Sequence, residues 1–347
     1  MSRQERRVGN PAKTLERQRT FKNAVLDLRA LTADDLEAVN GTILDHMQSS
    51  VKMIPEVAGH LINAGGKRLR PVLTIAAARA FGYDGHQHIN LAAAVELIHG
   101  ATLLHDDVVD ESALRRGLET ANIIWGNKES VLVGDFLFSR SFELMVKTGS
   151  LKVLDILSAA SCTIAEGEVL QLATQKNTAA TFEMYLDVVK AKTAALFAAA
   201  TQAGAVIAGA SEAEEKAFFD YGMNFGIAYQ LVDDALDYAG TQSDLGKSVG
   251  DDFREGKMTL PVVHAISAAR NDEERAFWQR TIGDVDQKDS DLPRALELMQ
   301  RDNIIPRTLD CAREFADEAL ASLRKLPQSD YTTALADLVD LSVARNS

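Results

Sequence analysis

The stretch ELIHGATLLHDDVVDESALRRG, Glu96–Gly117, decides how the rest of the chain is read. An apolar run, Ala101–Leu104, leads into three carboxylates, Asp106, Asp107 and Asp110, and two arginines, Arg115 and Arg116, follow before Gly117. The acidic pattern returns as Asp233, Asp234 and Asp237 in GIAYQLVDDALDYAG. On a helix, residues i and i+4 share a face, so Asp106 aligns with Asp110 and Asp233 with Asp237. Carboxylates crowded beside apolar surface repel one another and lose hydration, which raises their pKa values and costs stability. A hard divalent cation between the two clusters removes that conflict. Mg²⁺ fits, because it takes oxygen ligands and binds through one or two carboxylates plus substrate phosphates. No His or Cys pairs stand at zinc spacing, and no Glu-x-x-His repeats mark a di-iron bundle. One triplet alone reads equally well as a solvated helix end; two, each closing an apolar run, read as a site.

Working outward, the 347 residues are 46% hydrophobic and 25% charged, a globular composition with a sizeable core. The net charge of −13 argues against nucleic acid as a partner. An anionic substrate would need metal ions and local Lys and Arg to invert that field. Cys162 and Cys311 make no disulfide framework and fit a reducing compartment, the cytoplasm. No apolar run reaches transmembrane length. The first 30 residues are basic (Arg3, Arg6, Arg7, Lys13, Arg17, Arg19, Lys22) but carry Glu5 and Glu16 and lack an apolar signal core. Residues 1–30 therefore read as a flexible arm, with an organellar transit segment as the alternative. Residues 31–347 read as a single all-helical domain.

Seven prolines and no sustained alternation predict an all-α chain. Thr32-Ala33-Asp34-Asp35 opens one helix. A second runs from Val51 to Asn63 and ends at Gly65-Gly66, with Lys67, Arg68 and Arg70 in a tight basic loop before Pro71. One long helix from His86 to Val109 carries the first triplet, and another from Ala213 to Tyr238 carries the second. Between them lie helical runs up to Gly149, over Leu151–Leu172 and over Thr181–Gly209, the last alanine-rich. A polar loop, Leu245–Pro261, follows. The architecture expected is one large helical bundle with a central cavity between long helices.

From Gly65 to Pro261 the chain resembles the trans-isoprenyl diphosphate synthases, with every motif in family order. GGKRLRP, Gly65–Pro71, is similar to that family's isopentenyl diphosphate site. The resemblance implies that Gly66, Lys67, Arg70, His99 and Arg116 grip that diphosphate. It implies that the triplets are the two aspartate-rich motifs, with Asp106, Asp107, Asp110, Asp233 and Asp234 catalytic. Three Mg²⁺ ions would be held on the allylic diphosphate chiefly by Asp106, Asp110 and Asp233. Arg115, Lys192, Thr193, Gln230, Lys247 and Lys257 match positions that contact the allylic substrate. The fold implied is the isoprenoid synthase bundle, and the assembly implied is a homodimer, with an interface around Val131–Val146. The chemistry suits these residue types: metal ions and fixed cations stabilise charge on a leaving diphosphate, and a dry pocket keeps water from a carbocation.

In this family, product length behaves as a ruler along the helix before the first triplet. Ala101 lies five residues before Asp106, about 7.5 Å at 1.5 Å per residue. Small Ala101 and Thr102, with Leu97 deeper, imply a long all-trans polyprenyl diphosphate in the octaprenyl to decaprenyl range, as for ubiquinone side chains. Release of so apolar a product leaves peripheral contact with a membrane open. The alternatives are a farnesyl- or geranylgeranyl-type short-chain synthase, a class I terpene cyclase, and a non-catalytic prenyl synthase subunit. GGKRLRP and His99 argue against the cyclase, and six retained aspartates against the subunit.

Overall fold

The structure, a computed structural model, describes residues 20–239 and 249–345. Eleven helices lead up to the second triplet: α1 (Phe21–Leu31), α2 (Ala33–His46), α3 (Met53–Asn63), α4 (Leu69–Arg79), α5 (Gln87–Val109), α6 (Ala121–Ile124), α7 (Asn127–Lys147), α8 (Leu151–Thr174), α9 (Phe182–Val189), α10 (Ala195–Ile207) and α11 (Glu212–Ala239). Shorter helices and the long Ile304–Leu323 and Asp330–Val343 complete the bundle. Among the described residues the strands are β1 (Leu114–Arg115) and β2 (Leu118–Glu119), one antiparallel hairpin. The all-α architecture expected from the sequence is what the chain adopts.

Helix α5 is the central post. Leu91, Ala92, Ala93, Ala94, Val95, Leu97, Ile98 and Leu104 are all fully buried. A helix that is apolar on every side belongs inside, and each large side chain so buried contributes about 1.5–3 kcal/mol. It packs on α7, α2 and α4. Helix α10 lies between α4, α8 and α11. Its small residues let backbones meet: a Cβ added at Gly222 of α11 would stand 2.5 Å from the Phe197 carbonyl oxygen. On α11 the rings of Tyr221 and Phe225 stack at 6.0 Å, and Phe225 and Tyr229 lie 6.0 Å apart. The far side of α11 is covered by Ile304–Leu323.

One local expectation changes and two hold with added detail. Residues 1–19 of the expected arm lie outside the described residues, but Phe21–Leu31 form α1, with Phe21, Ala24, Val25 and Leu28 buried. That i, i+3, i+4, i+7 stripe packs on the last helix, so these residues are a wall and not an arm. The helix expected to open at Thr32-Ala33-Asp34-Asp35 does so, as α2 with Asp34 and Asp35 in its first turn; the Thr32 hydroxyl itself donates back to the Leu28 carbonyl at 2.9 Å. The alanine-rich run over 181–209 is continuously helical from Phe182 to Ile207, with a π-helical turn at Lys190–Ala194 between α9 and α10. Such turns recur at functional sites, and this one carries Lys192 and Thr193.

Candidate active site

A cavity of about 400 Å³ lies between the C-terminal ends of α5 and α11, and members of both acidic triplets wall it. Asp106 and Asp110 face it from one side; Asp233, Asp234 and Asp237 face it from the other. Arg115, Lys192, Thr193, Gln230 and Lys257 also line it. The apolar part of the wall is Leu103, Ala180, Met184, Val188, Val189 and Met258.

The first triplet divides its work. Asp110 stands just past the end of α5, its N–H bonded to the Asp106 carbonyl at 2.8 Å. Burial pushes the Asp106 carboxyl up to about 7, with Glu168 and Asp110 repelling and Lys192 opposing the rise. The Lys192 ammonium lies 3.9 Å from Asp106 but 2.7 Å from Glu168. Asp107 behaves otherwise than expected. It is buried and is not among the cavity walls. Arg115 grips it, Nε donating to Oδ1 at 2.9 Å and Nη2 at 2.8 Å. Asp107 therefore anchors the hairpin that follows, because a residue next to i and i+4 on a helix turns away from their face.

In the second triplet Asp233 is exposed into the cavity. Asp234 is buried and saturated: Tyr185 donates to it at 2.6 Å, Gln230 at 2.8 Å and the Leu260 N–H at 3.4 Å. Burial and the nearby Asp252 still raise its carboxyl to about 7, against the two side-chain hydrogen bonds. Thr193 reaches this network through its hydroxyl, 3.1 Å from Gln230 Oε1. The Asp237 carboxylate accepts the Asp252 N–H at 3.1 Å and ties down the segment after α11. Burial disfavours the charge on Lys257, but its hydrogen bond to Glu255 and the pull of Asp252 and Asp110 leave its pKa raised. No three carboxylates among the described residues are gathered closely enough to enclose an ion by themselves. Oxygen-only donors facing one another across a cavity still suit a hard divalent ion, which needs one or two carboxylates when a phosphate supplies the rest.

The remaining predicted residues form a second cluster. His99 lies seven residues before Asp106 on α5, two turns or about 10.5 Å along the axis. Arg70 Nη1 is 3.2 Å from His99 Nε2, and its guanidinium lies 4.2 Å from the Phe197 ring centre. Burial, then Arg70, Arg116, Arg115 and Arg68, hold the His99 imidazole neutral, well below its ordinary pKa. Lys67 sits 5.0 Å over the Phe21 ring and 3.4 Å from the Tyr229 hydroxyl. Gly66 (φ 155°) makes room for Arg116, since a Cβ there would stand 2.9 Å from its Nη1. The hairpin joins the two clusters. Its turn residues Arg116 and Gly117 have φ of 55° and 79°, the signature of a type I′ turn. Arg115 faces the acidic cavity while the next residue, Arg116, faces the cationic loop.

Lys247 lies outside the described residues. Ala101 and Leu97 are sealed in the core and Thr102 is half-buried, and none of the three lines the cavity; Leu103, on another face of α5, is the residue just ahead of the triplet that does. Sequence reasoning missed Glu168 and Tyr185, which no local pattern marks, and also Phe21 and Arg345; Asp252 lies in Gly250-Asp251-Asp252, which fits the family pattern. The Arg345 guanidinium lies 4.0 Å from the Phe21 ring centre and 4.9 Å from that of Tyr229, with Nη2 buried and unpartnered.

The sequence model of the polyprenyl synthetase family matches residues 51–299. The octaprenyl diphosphate synthase of Escherichia coli is 45% identical over 319 residues, covering 92% of this chain and 98% of its own. A polyprenyl synthase from Caulobacter crescentus, solved with calcium and isoprenyl diphosphate, superposes with a TM-score of 0.89 at 53% identity, covering 93% of this chain and 98% of its own. A decaprenyl diphosphate synthase from Rhodobacter capsulatus gives a TM-score of 0.89 at 52% identity, covering 93% and 99%. The motifs that resemble prenyl synthases thus sit in a chain matched along nearly its whole length, and the protein belongs to the polyprenyl synthetase family.

Proposed function

We propose that the protein condenses isopentenyl diphosphate head-to-tail with an allylic diphosphate, using a divalent metal, to make a long all-trans polyprenyl diphosphate in the octaprenyl to decaprenyl range. The observation that carries this reading is the pairing of sites: two carboxylate clusters on one cavity, and a cationic cluster two helical turns away. A terpene cyclase needs no such second anion site. Asp106, Asp110 and Asp233 would hold the metal, three Mg²⁺ ions by the family pattern, and when bound it neutralises charge on the leaving diphosphate.

The chain's own residues do the rest. Lys192, Arg115 and Lys257 stand at the cavity as fixed cations for the diphosphate that departs. Thr193, Gln230 and Tyr185 hold Asp234 in place behind them. Lys67, Arg70 and Arg116 hold the second diphosphate, and neutral His99 orients Arg70. As the allylic C–O bond breaks, the double bond of the second substrate forms the new C–C bond. The proton it then loses passes to the released diphosphate. Leu103, Met184, Val188 and Val189 keep water from the cation.

The exposed Val131, Leu132, Phe142 and Val146 on α7 support a homodimer through that face. Two free cysteines support a cytoplasmic protein. Among the described residues no helix is long and apolar enough to cross a membrane, and contact with a bilayer would be peripheral, at product release. The test is to incubate the purified chain with Mg²⁺, farnesyl diphosphate and labelled isopentenyl diphosphate and to size the product by thin-layer chromatography. A ladder ending in the octaprenyl to decaprenyl range is expected. A farnesyl- or geranylgeranyl-sized product would restore the short-chain alternative, and no condensation would overturn the reading.

A further inference from the structure

The cationic cluster contains one carboxylate that the reaction does not use. Glu96 is buried on α5, three residues before His99 and so on the same face. Arg68 Nη1 donates to Glu96 Oε1 at 2.5 Å, with both side chains largely shielded from solvent. The same guanidinium reaches the Ile62 carbonyl at the end of α3, at 3.5 Å. Arg68 is also the residue whose backbone takes a left-handed turn, φ 50° and ψ 36°, into α4. That conformation disfavours any side chain bearing a Cβ and persists only where contacts hold it. Glu96 further attracts Arg70 and Arg116. Without it, Arg68, Arg70 and Arg116 would crowd around His99 with their charges unopposed on this side.

From this arrangement we propose that Glu96 is a positioning residue for the second substrate. It latches Arg68, fixes the strained start of α4, and keeps the loop cations converged before an anion arrives. The gain is preorganisation: cations already gathered need not be ordered when the diphosphate binds. A role limited to local charge makes the opposite forecast, since a carboxylate near an anion site repels the anion, and deleting it would tighten binding.

The inference rests on the function proposed above, and two readouts separate the fates of the two. The first is steady-state kinetics of Glu96→Gln with each substrate varied. The KM for isopentenyl diphosphate is expected to rise about tenfold or more while that for the allylic primer stays within about twofold. The second is calorimetric binding of inorganic pyrophosphate in EDTA, where the acidic cavity repels an anion and the cationic cluster takes it. Affinity is expected to fall by a similar factor in Glu96→Gln and in Arg68→Met. The double variant is expected to be no weaker than either single one, because the two residues act as a unit. Arg68→Met reads the latch from its other side if Glu96→Gln loosens the fold, which circular dichroism reports. Unchanged or tighter pyrophosphate binding in both single variants overturns the inference, as does additivity in the double. A parent chain that binds pyrophosphate yet never condenses would overturn the function and leave the latch to be decided by the binding arm.

Discussion

Asp107 and Asp234 hold the same place in two triplets of identical spacing, and neither is a free carboxylate. Their partners differ. Asp107 is gripped by the charged fork of Arg115. Asp234 is held by neutral donors, Tyr185, Gln230 and a backbone N–H, and burial lifts it to about 7. In each triplet the second aspartate is thus an anchor, and Asp106 or Asp233 before it stands at the cavity. One anchor is fastened by charge and the other by hydrogen bonds, so damage to each should read out differently.

The largest effects belong to the members that stand at the cavity. Asp106→Ala and Asp233→Ala are each expected to lower kcat by about a thousandfold or more, the scale of losing metal-centred charge stabilisation. Thermal melting should barely move, because removing crowded carboxylates relieves repulsion. Near-normal turnover in either variant would break the division of labour.

Asp107→Asn should act mainly on stability. It strands a guanidinium built to be paired, at a cost of roughly 2–3 kcal/mol, below that of a fully buried pair because Arg115 is 27% exposed. The denaturation midpoint checks this. A loss under about 0.5 kcal/mol would mean that the hairpin does not depend on the pair.

The two helices that carry the triplets also differ along their length. Five residues before the first aspartate both have alanine, Ala101 on α5 and Ala228 on α11. Further back, α5 has Leu97 and Ala94, whereas α11 has Phe225 and Tyr221, stacked on one another. Both faces are closed, Ala101 and Leu97 as tightly as Phe225 and Tyr221, but the smaller side chains of α5 are the ones a growing tail can displace. Ala101→Phe is expected to shorten the product by several isoprene units on radio-thin-layer analysis. Ala228→Leu should cost stability, about 1–3 kcal/mol by overpacking, and leave chain length unchanged. Equal shortening by both would remove the asymmetry.

Much of this was legible in the chain itself. The triplets, α5 and α11 stand where apolar periodicity and glycine punctuation put them; the basic loop is shorter than expected, because α4 begins at Leu69 and takes Arg70 and Pro71 into its first turn. The α1 stripe Phe21, Ala24, Val25, Leu28 was equally visible, and the surrounding lysines and arginines masked it. What stayed hidden depends on packing between distant segments. The Asp107–Arg115 pair crosses a turn, Tyr185 meets Asp234 from another helix, and Glu168 draws Lys192 from α8. The π-helical turn that places Lys192 adds one residue to a helical turn, and alanine-rich periodicity does not register that.

The smallest expected effects test the neutral anchor. Asp234→Asn keeps the shape of the group: its oxygen can still accept from Gln230, its amide can donate to the Tyr185 hydroxyl, which also accepts, and the bond given up is the long one from the Leu260 N–H, 3.4 Å. With a carboxyl already lifted to about 7 by burial, loss of the charge costs little, and a stability change of about 1 kcal/mol or less is expected. Tyr185→Phe removes one donor and leaves Gln230 and the Leu260 N–H in place. It should likewise cost about 1 kcal/mol and change kcat less than tenfold. Chemical denaturation of the four single variants, Asp107→Asn, Asp234→Asn, Tyr185→Phe and Asp106→Ala, orders them. If Asp234→Asn proved costlier than Asp107→Asn, Asp234 would have to be ionised in the folded protein. Hydrogen bonds from neutral donors would then be holding a charge at the second triplet, as Arg115 does at the first.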